Sequence, residues 1–372
     1  MTHRILRPWL VSLHRWAGLS LGLLFVLMGL SGTMLVFEHD IDAALNPHLF
    51  HGASCTEMIA PDAVAAAVQA QWPKAKVSFI NFPKHDGGSY RATFKAPSTE
   101  HNEAMLDACS GQLLGSRDRG AIAFDREHWM PMLQTWHLNM FQGKPGRVAQ
   151  GYIGAAIALL LAVGLYLAFP APGHWLRALK VKLTQNVYRT NYDLHRSLGL
   201  LALPPLLAMA LTGFYNGLPE TARGLVASVA EVGTEHRSIA LPALEKGEKA
   251  ISWNQVQAIA APYLRDGTTL VGIARQPERG LFLARLHRAD DSQRTGTLRI
   301  FIDMRDAKVV EVINPLSGKS GDRFLASLFP FHSGQMGGSA VKWLIAFAGL
   351  LPALFFITGV TTWILRRKKR FH

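Results

Sequence analysis

Cysteine is nearly absent from this chain: Cys55 and Cys109 are the only two in 372 residues. No Cys-x-x-Cys-His is present, which argues against a covalently attached c-type haem. No Gly-x-Gly-x-x-Gly opens a strand–helix unit, so no nucleotide or flavin domain is expected. Charge is scarce too. Only 17% of residues are Asp, Glu, Lys or Arg against 49% hydrophobic, a balance unlike that of a water-soluble protein of this length.

Four apolar runs account for that balance: residues 16–37, 148–169, 198–215 and 341–365. None contains Asp, Glu or Arg, and the one Lys, Lys342, sits at an edge. Each approaches the ~20 residues that a helix needs to cross ~30 Å of hydrocarbon, where a charge would cost several kcal/mol. The first run is too long for a signal peptide and leads straight into Glu38-His39-Asp40-Ile41-Asp42, so it is expected to remain as an anchor.

The formal net charge is +13, and its placement is uneven. Arg4, Arg7 and Arg15 precede the first run. Arg177, Lys180, Lys182, Arg189 and Arg196 lie between the second and third, beside the lone acid Asp193. Arg366, Arg367, Lys368, Lys369 and Arg370 follow the fourth. The positive-inside rule puts all three segments, and both termini, in the cytoplasm. The long loops at 40–135 and 217–335 then lie outside and are near neutral together. The basic balance is therefore a topology signal and implies a lipid bilayer as partner, with no nucleic acid. Both cysteines fall in the first outer loop, where a disulfide and two free thiols are equally open readings.

The chain repeats itself. Leu13-His14-Arg15-Trp16-Ala17-Gly18-Leu19 returns 181 residues later as Leu194-His195-Arg196-Ser197-Leu198-Gly199-Leu200, and Leu30-Ser31-Gly32 returns as Leu211-Thr212-Gly213. At an offset of 195, His137, Gly143, Arg147, Gly154 and Gly164 match His332, Gly338, Lys342, Gly349 and Gly359. Each half reads as helix, outer module, helix, which predicts a pseudo-twofold axis along the membrane normal. The predicted fold is an α-helical membrane protein: a four-helix transmembrane bundle with two outer α+β modules, internally duplicated. Its segments are 1–39 (helix one), 40–135 (module one), 136–170 (helix two), 171–194 (basic loop), 195–216 (helix three), 217–331 (module two) and 332–372 (helix four and tail). Helix one is expected to start after Pro8, and helix three to bend near Pro204-Pro205. Module one reads as a helix at 63–72 and strands near 76–81, 89–95, 104–108 and from 112. Module two reads as a helix at 253–264 and strands near 270–276, 281–287, 297–303 and 309–314.

Four histidines keep register through the duplication. His14 and His195 fall at the inner ends of helices one and three, His137 and His332 at the outer ends of helices two and four. Low-spin b-type haem takes two axial imidazoles from facing helices of a bundle, so the pattern predicts two haem b groups, one near each membrane face. His14, Gly18, Gly22, Gly29 and Gly32 fall within roughly 80° of one another on helix one. That stripe reads equally as tight helix packing and as room for a flat macrocycle. Competing readings of the histidines are interfacial anchors and, less well, zinc ligands. His39 is a second-tier candidate for the outer site, because its repeat position is Glu220. Arg15 and Arg196 are candidates to pair with haem propionates or lipid phosphates.

These motifs, together with Phe37-Glu38-His39-Asp40-Ile41-Asp42, Asp193-Leu194-His195-Arg196 and Thr358-Gly359-Val360 before the basic tail, resemble those of the PepSY-associated transmembrane proteins. The likeness covers nearly the whole chain, and both outer loops resemble PepSY modules. It implies a four-helix, haem-bearing reductase of the bacterial inner membrane that passes electrons to a ferric siderophore in the periplasm; a cytoplasmic or quinol donor is the expected source of those electrons. The haem-ligand role then falls on His14, His195, His137 and His332. Two other classes remain open at this stage: a permease for iron or siderophore, against which no acidic or broken-helix site is visible at mid-membrane, and a non-enzymatic protein whose modules hold a partner.

Overall fold

Each apolar run folds as one helix that begins ahead of the run, because the preceding residues join the same hydrogen-bonded ladder. The structure is a computed structural model that describes residues 2–169, 173–183, 186–233, 238–245 and 247–368. Lys369 and Arg370 of the basic tail lie outside the described residues.

In chain order, α1 spans Thr2–Leu35, α2 Glu38–Leu45, α3 Pro47–Phe50 and α4 Pro61–Gln71. Strands β1 to β4 follow at Lys76–Asn81, Ser89–Lys95, Glu103–Asp107 and Leu113–Arg117. Next come α5 (Trp129–Asn139), α6 (Gly143–Ala168), α7 (Trp175–Ala178), α8 (Val187–Gly217), α9 (Pro219–Ala227) and α10 (Trp253–Ala260). Strands β5 to β8 occupy Thr269–Gln276, Leu281–His287, Leu298–Asp303 and Val309–Ile313, ahead of α11 (Ser320–His332) and α12 (Gly338–Lys368). Among the described residues, four helices are long and apolar enough to cross a membrane: α1, α6, α8 and α12.

Helix α1 begins before Pro8 rather than after it. A proline within a helix forfeits its own N–H bond to the fourth residue back, and here the ladder continues on both sides. Pro204 and Pro205 likewise lie inside an unbroken α8, and Pro352 inside α12.

The chain forms two compact units. The first, Met1–Phe37, Trp136–Gly224 and Phe331–His372, is the helix bundle. In it α1 packs against α12 and α6, and α8 packs against α6 and α12. The duplication maps α1 onto α8 and α6 onto α12, so each contact has its counterpart. Small residues let the backbones close: a Cβ on Gly29 would collide with the Gly349 carbonyl, and at the matching crossing a Cβ on Gly154 would come 2.9 Å from the Ala210 carbonyl.

The second unit, Glu38–Thr135 and Leu225–Pro330, contains both modules, and they share one sheet. Its strand order is β4-β3-β2-β1-β5-β6-β7-β8, every pair antiparallel. The joint is β1 against β5, with Ile80 opposite Ile273 and Phe79 opposite Ala274. Pairing these two edges removes the open N–H and C=O rows that each module alone would expose. One face of the sheet is covered by α4 and α10, where Val64, Val68, Val256 and Ala260 are fully buried against Ile80, Phe94, Ile273 and Ile300. Each such valine contributes roughly 1.5–3 kcal/mol. The two helices cap each other: the Asp62 carboxylate accepts from Trp253 N at 2.8 Å, and the Asn254 amide oxygen accepts from Asp62 N at 2.9 Å.

A buried ion network ties the start of module one to its last strand. Arg117, 1% exposed, donates to both oxygens of Asp42 (3.0 and 2.8 Å) and to Glu103 (2.8 Å). Asp42 closes the Phe37–Asp42 motif, so the motif's last residue anchors the fold. Cys55 and Cys109 form a disulfide with their Cα atoms 5.8 Å apart, which settles the question left open between a bridge and free thiols.

Candidate functional site

The four registered histidines all belong to the helix bundle, where they meet in two pairs. The ring centroids of His14 and His195 are 6.3 Å apart, and those of His137 and His332 are also 6.3 Å apart. Their ring planes cross at 85° and 52°. On α1, seventeen residues separate His14 from Ser31, which touches His137. At ~1.5 Å per residue the two sites are about 25 Å apart along the helix. The same count on α8 separates His195 from Thr212, which touches His332.

Every ring is held by its Nδ1 atom. His137 Nδ1 lies 3.0 Å from the Ser31 hydroxyl, His332 Nδ1 2.7 Å from that of Thr212, and His195 Nδ1 2.8 Å from that of Thr358. His14 Nδ1 lies 3.2 Å from the Leu160 carbonyl. Each hydroxyl already donates its own hydrogen one turn back, to Leu27, Ala208 or Leu354, at 2.7–2.8 Å. A carbonyl can only accept. We therefore assign the proton to Nδ1 in all four cases, as the donor to these oxygens, which leaves Nε2 with a free lone pair. A hydrogen bond from the other ring nitrogen fixes the tautomer of metal-binding histidines in this way.

A glycine follows each of these hydroxyls and clears space for the ring. A Cβ at Gly32 would stand 3.1 Å from His137 Cε1, and one at Gly164 would stand 2.9 Å from His14 Cε1. At Gly213 and Gly359 the nearest atoms are Cε1 of His332 and of His195, both at 3.9 Å. The recurring unit is thus a hydroxyl-Gly dipeptide facing a histidine from the neighbouring helix: Ser31-Gly32, Thr212-Gly213 and Thr358-Gly359. The exception is Val163-Gly164, where no hydroxyl is present and His14 takes the Leu160 carbonyl instead.

The 6.3 Å separation fits two imidazoles bound to one metal ion. With metal–nitrogen bonds of ~2.0 Å and ring centres ~1.1 Å beyond each nitrogen, the expected value is about 6.2 Å. Among the described residues, no group of three or more His, Cys, Asp or Glu side chains could hold a metal ion. A metal held by one of these pairs would take its remaining ligands from a non-protein group. Gly18 and Gly199, one turn beyond His14 and His195, leave room for such a group: a Cβ at Gly18 would meet nothing within 4 Å, and one at Gly199 would meet only Phe355 at 3.9 Å.

The arginines that follow His14 and His195 also share a feature. The Nε atoms of Arg15 and Arg196 are buried and have no hydrogen-bond partner. Arg15 lies over Trp16 and Arg196 over Tyr192, while Arg196 approaches Asp193 at 3.4 Å. The stripe of glycines divides its roles. Gly29 serves helix contact, Gly22 meets the Phe356 ring, Gly32 accommodates a histidine and Gly18 borders open space. His39 lies in the sheet unit on α2, edge-on to Phe50 at 5.7 Å, and is not one of the paired imidazoles.

The family model for the PepSY-associated TM region matches residues 11–366. The chain belongs to this family. No curated protein matches it significantly. For this PepSY-associated protein, the match runs across all four long helices and the whole sheet unit, so both histidine pairs lie within the family region.

Proposed function

We propose that this protein is a two-haem reductase of the bacterial inner membrane. It takes electrons from a cytoplasmic or quinol donor and delivers them to a ferric siderophore in the periplasm, where reduction to Fe(II) loosens the chelate. The order and spacing of its motifs resemble the inner-membrane ferrisiderophore reductase FoxB. The observation that carries the reading is the pair of two-imidazole sites, each with proton-bearing Nδ1 atoms and free Nε2 lone pairs, about 25 Å apart in one bundle.

His14 with His195, and His137 with His332, would each hold one haem b, which supplies a one-electron carrier when bound. Ser31, Thr212, Thr358 and the Leu160 carbonyl keep the imidazoles in the ligating tautomer. Arg15 and Arg196 offer unpartnered Nε–H donors beside the inner pair, suited to a propionate. Arg177 and Arg196 stand at the bundle end that holds the inner pair, in keeping with a cytoplasmic location. The Cys55–Cys109 bridge in the sheet unit suits an oxidising compartment outside.

The test is electron delivery. Protein in nanodiscs, reduced and freed of excess reductant, is mixed with a ferric siderophore in the presence of an Fe(II) trap. Reoxidation of the b-type absorbance with matching Fe(II) capture is expected. Reoxidation no faster than in buffer, with no trapped Fe(II), would reject the substrate assignment.

A further inference from the structure

The sheet face opposite α4 and α10 carries a cavity of about 280 Å³. At ~30 Å³ per water, that is space for a small organic molecule rather than a single ion. Its lining includes Phe79, Asn81, Arg91, Glu103, Arg119 and Arg285. Three guanidinium groups thus face one carboxylate. Glu103 is already engaged by Arg119 at 2.7 Å, Arg117 at 2.8 Å and Arg91 at 3.5 Å.

Arg285 stands on the other side and has no such partner. Among the described residues it makes no hydrogen bond or ion pair, and its Nε is buried and unsatisfied. Its contact is with the Phe79 ring, whose centroid is 5.3 Å from the guanidinium carbon. That placement depends on Gly272, because a Cβ there would stand 2.7 Å from the Phe79 ring edge. The residue as a whole is half-buried, and its buried Nε–H lacks an acceptor that a bound anion would supply. Burial, followed by Arg294 and Arg91, also lowers the Lys84 ammonium below its usual range, against an opposing pull from Glu38 and Asp40.

The duplication does not produce this feature. The pairing Ala92–Ile80 in module one and Ala284–Ile273 in module two places Arg285 at the repeat position of Thr93, and Arg91 at that of Leu283. The cations come from different strands and approach from opposite sides of the joint: Arg91 on β2 and Arg285 on β6 are three strand spacings apart, about 14 Å at the backbone.

We propose that this cavity binds a small polycarboxylate anion, with one carboxylate held by the Arg285 fork and a second by Arg91, while Arg119 stays engaged with Glu103 and Gln134. Planar guanidinium groups accept carboxylates through two parallel hydrogen bonds, and cations on opposite walls select a ligand with more than one acidic group. The site stands whether or not the bundle carries haem.

The test is calorimetry on the full-length protein in neutral-lipid nanodiscs, with citrate as probe and inorganic phosphate as comparison, at constant ionic strength. Citrate should bind the native protein in the micromolar to low millimolar range and phosphate at least tenfold more weakly. Arg285→Met should weaken citrate binding at least tenfold, with Arg285→Lys intermediate. Arg91→Gln on the opposite wall should weaken it independently, and Arg265→Ala, an exposed control, should leave it unchanged. The haem absorbance of the same samples, read separately, should not vary with any of these. Absence of citrate binding to the native protein, equal binding of phosphate, or full retention in both Arg285→Met and Arg91→Gln would overturn the proposal.

Discussion

Thr212 accepts a hydrogen bond from His332 Nδ1 at 2.7 Å while its own hydroxyl donates to the Ala208 carbonyl at 2.7 Å. A hydroxyl that donates back along its helix has no second proton, which assigns the donor role to His332 Nδ1. Thr212→Val keeps the shape and removes the acceptor. Loss of the group that holds a ligating histidine's other nitrogen typically lowers metal affinity about 10–100-fold. Haem retention at the His137–His332 site should fall by that order, and its reduction potential should rise as the ligand becomes less basic. Redox titration of the purified variant checks this; an unchanged potential would show that Thr212 does not tune the ligand.

Gly164 and its repeat partner Gly359 make an asymmetric pair. A methyl at 164 would stand 2.9 Å from His14 Cε1, inside contact distance, whereas one at 359 would stand 3.9 Å from His195 Cε1. Gly164→Ala is therefore expected to displace His14 and remove one haem, and Gly359→Ala to be tolerated. Haem-to-protein ratios of the two variants read the difference directly.

The Arg117–Asp42 pair is almost fully buried. Removing one member strands the other, which typically costs about 3–5 kcal/mol. Asp42→Asn and Arg117→Met should each unfold the sheet unit at markedly lower denaturant, by circular dichroism. A shift below about 1 kcal/mol would mean that water replaces the missing partner.

Glu103 makes the same unit sensitive to acid. Burial opposes its ionisation, but Arg119, Arg91 and Arg117 outweigh burial and hold its carboxyl down to about 2. Because the folded value lies below the unfolded one, its contribution is complete above about pH 4.5 and disappears as pH falls towards 2. Unfolding midpoints measured across that window should decline, and Glu103→Gln should make the slope shallower at the expense of lower stability near neutrality.

Reduction of the Cys55–Cys109 bridge opens a loop with a sequence separation of 54. The expected loss is about 2–4 kcal/mol in the sheet unit, with haem content unchanged, since all four paired histidines lie in the bundle. Thermal unfolding with and without reductant, followed alongside the haem absorbance, separates the two effects.

Much of this was legible in the residues themselves. Alternating patterns placed β1, β2 and β6 at their observed bounds, and the offsets of 181 and 195 paired the histidines that the bundle brings together. Other features depend on contacts between distant residues. Nothing in the local alternation of 76–81 or 269–276 says that these two edges pair, because period-two patterning defines faces and not neighbours. Arg117 finds Asp42 across 75 positions, with no spacing rule to announce it. The Nδ1 acceptors did leave a trace: Leu30-Ser31-Gly32 and Leu211-Thr212-Gly213 repeat in register, and the hydroxyl before each glycine was the overlooked half of the motif.

The number of haems per polypeptide decides whether both histidine pairs are ligands. Pyridine haemochrome analysis of the purified protein should give two b-type haems, and about one each in His14→Ala and His332→Ala. A native protein with no reducible b-type absorbance, or full retention of both haems in the two variants, would contradict the account.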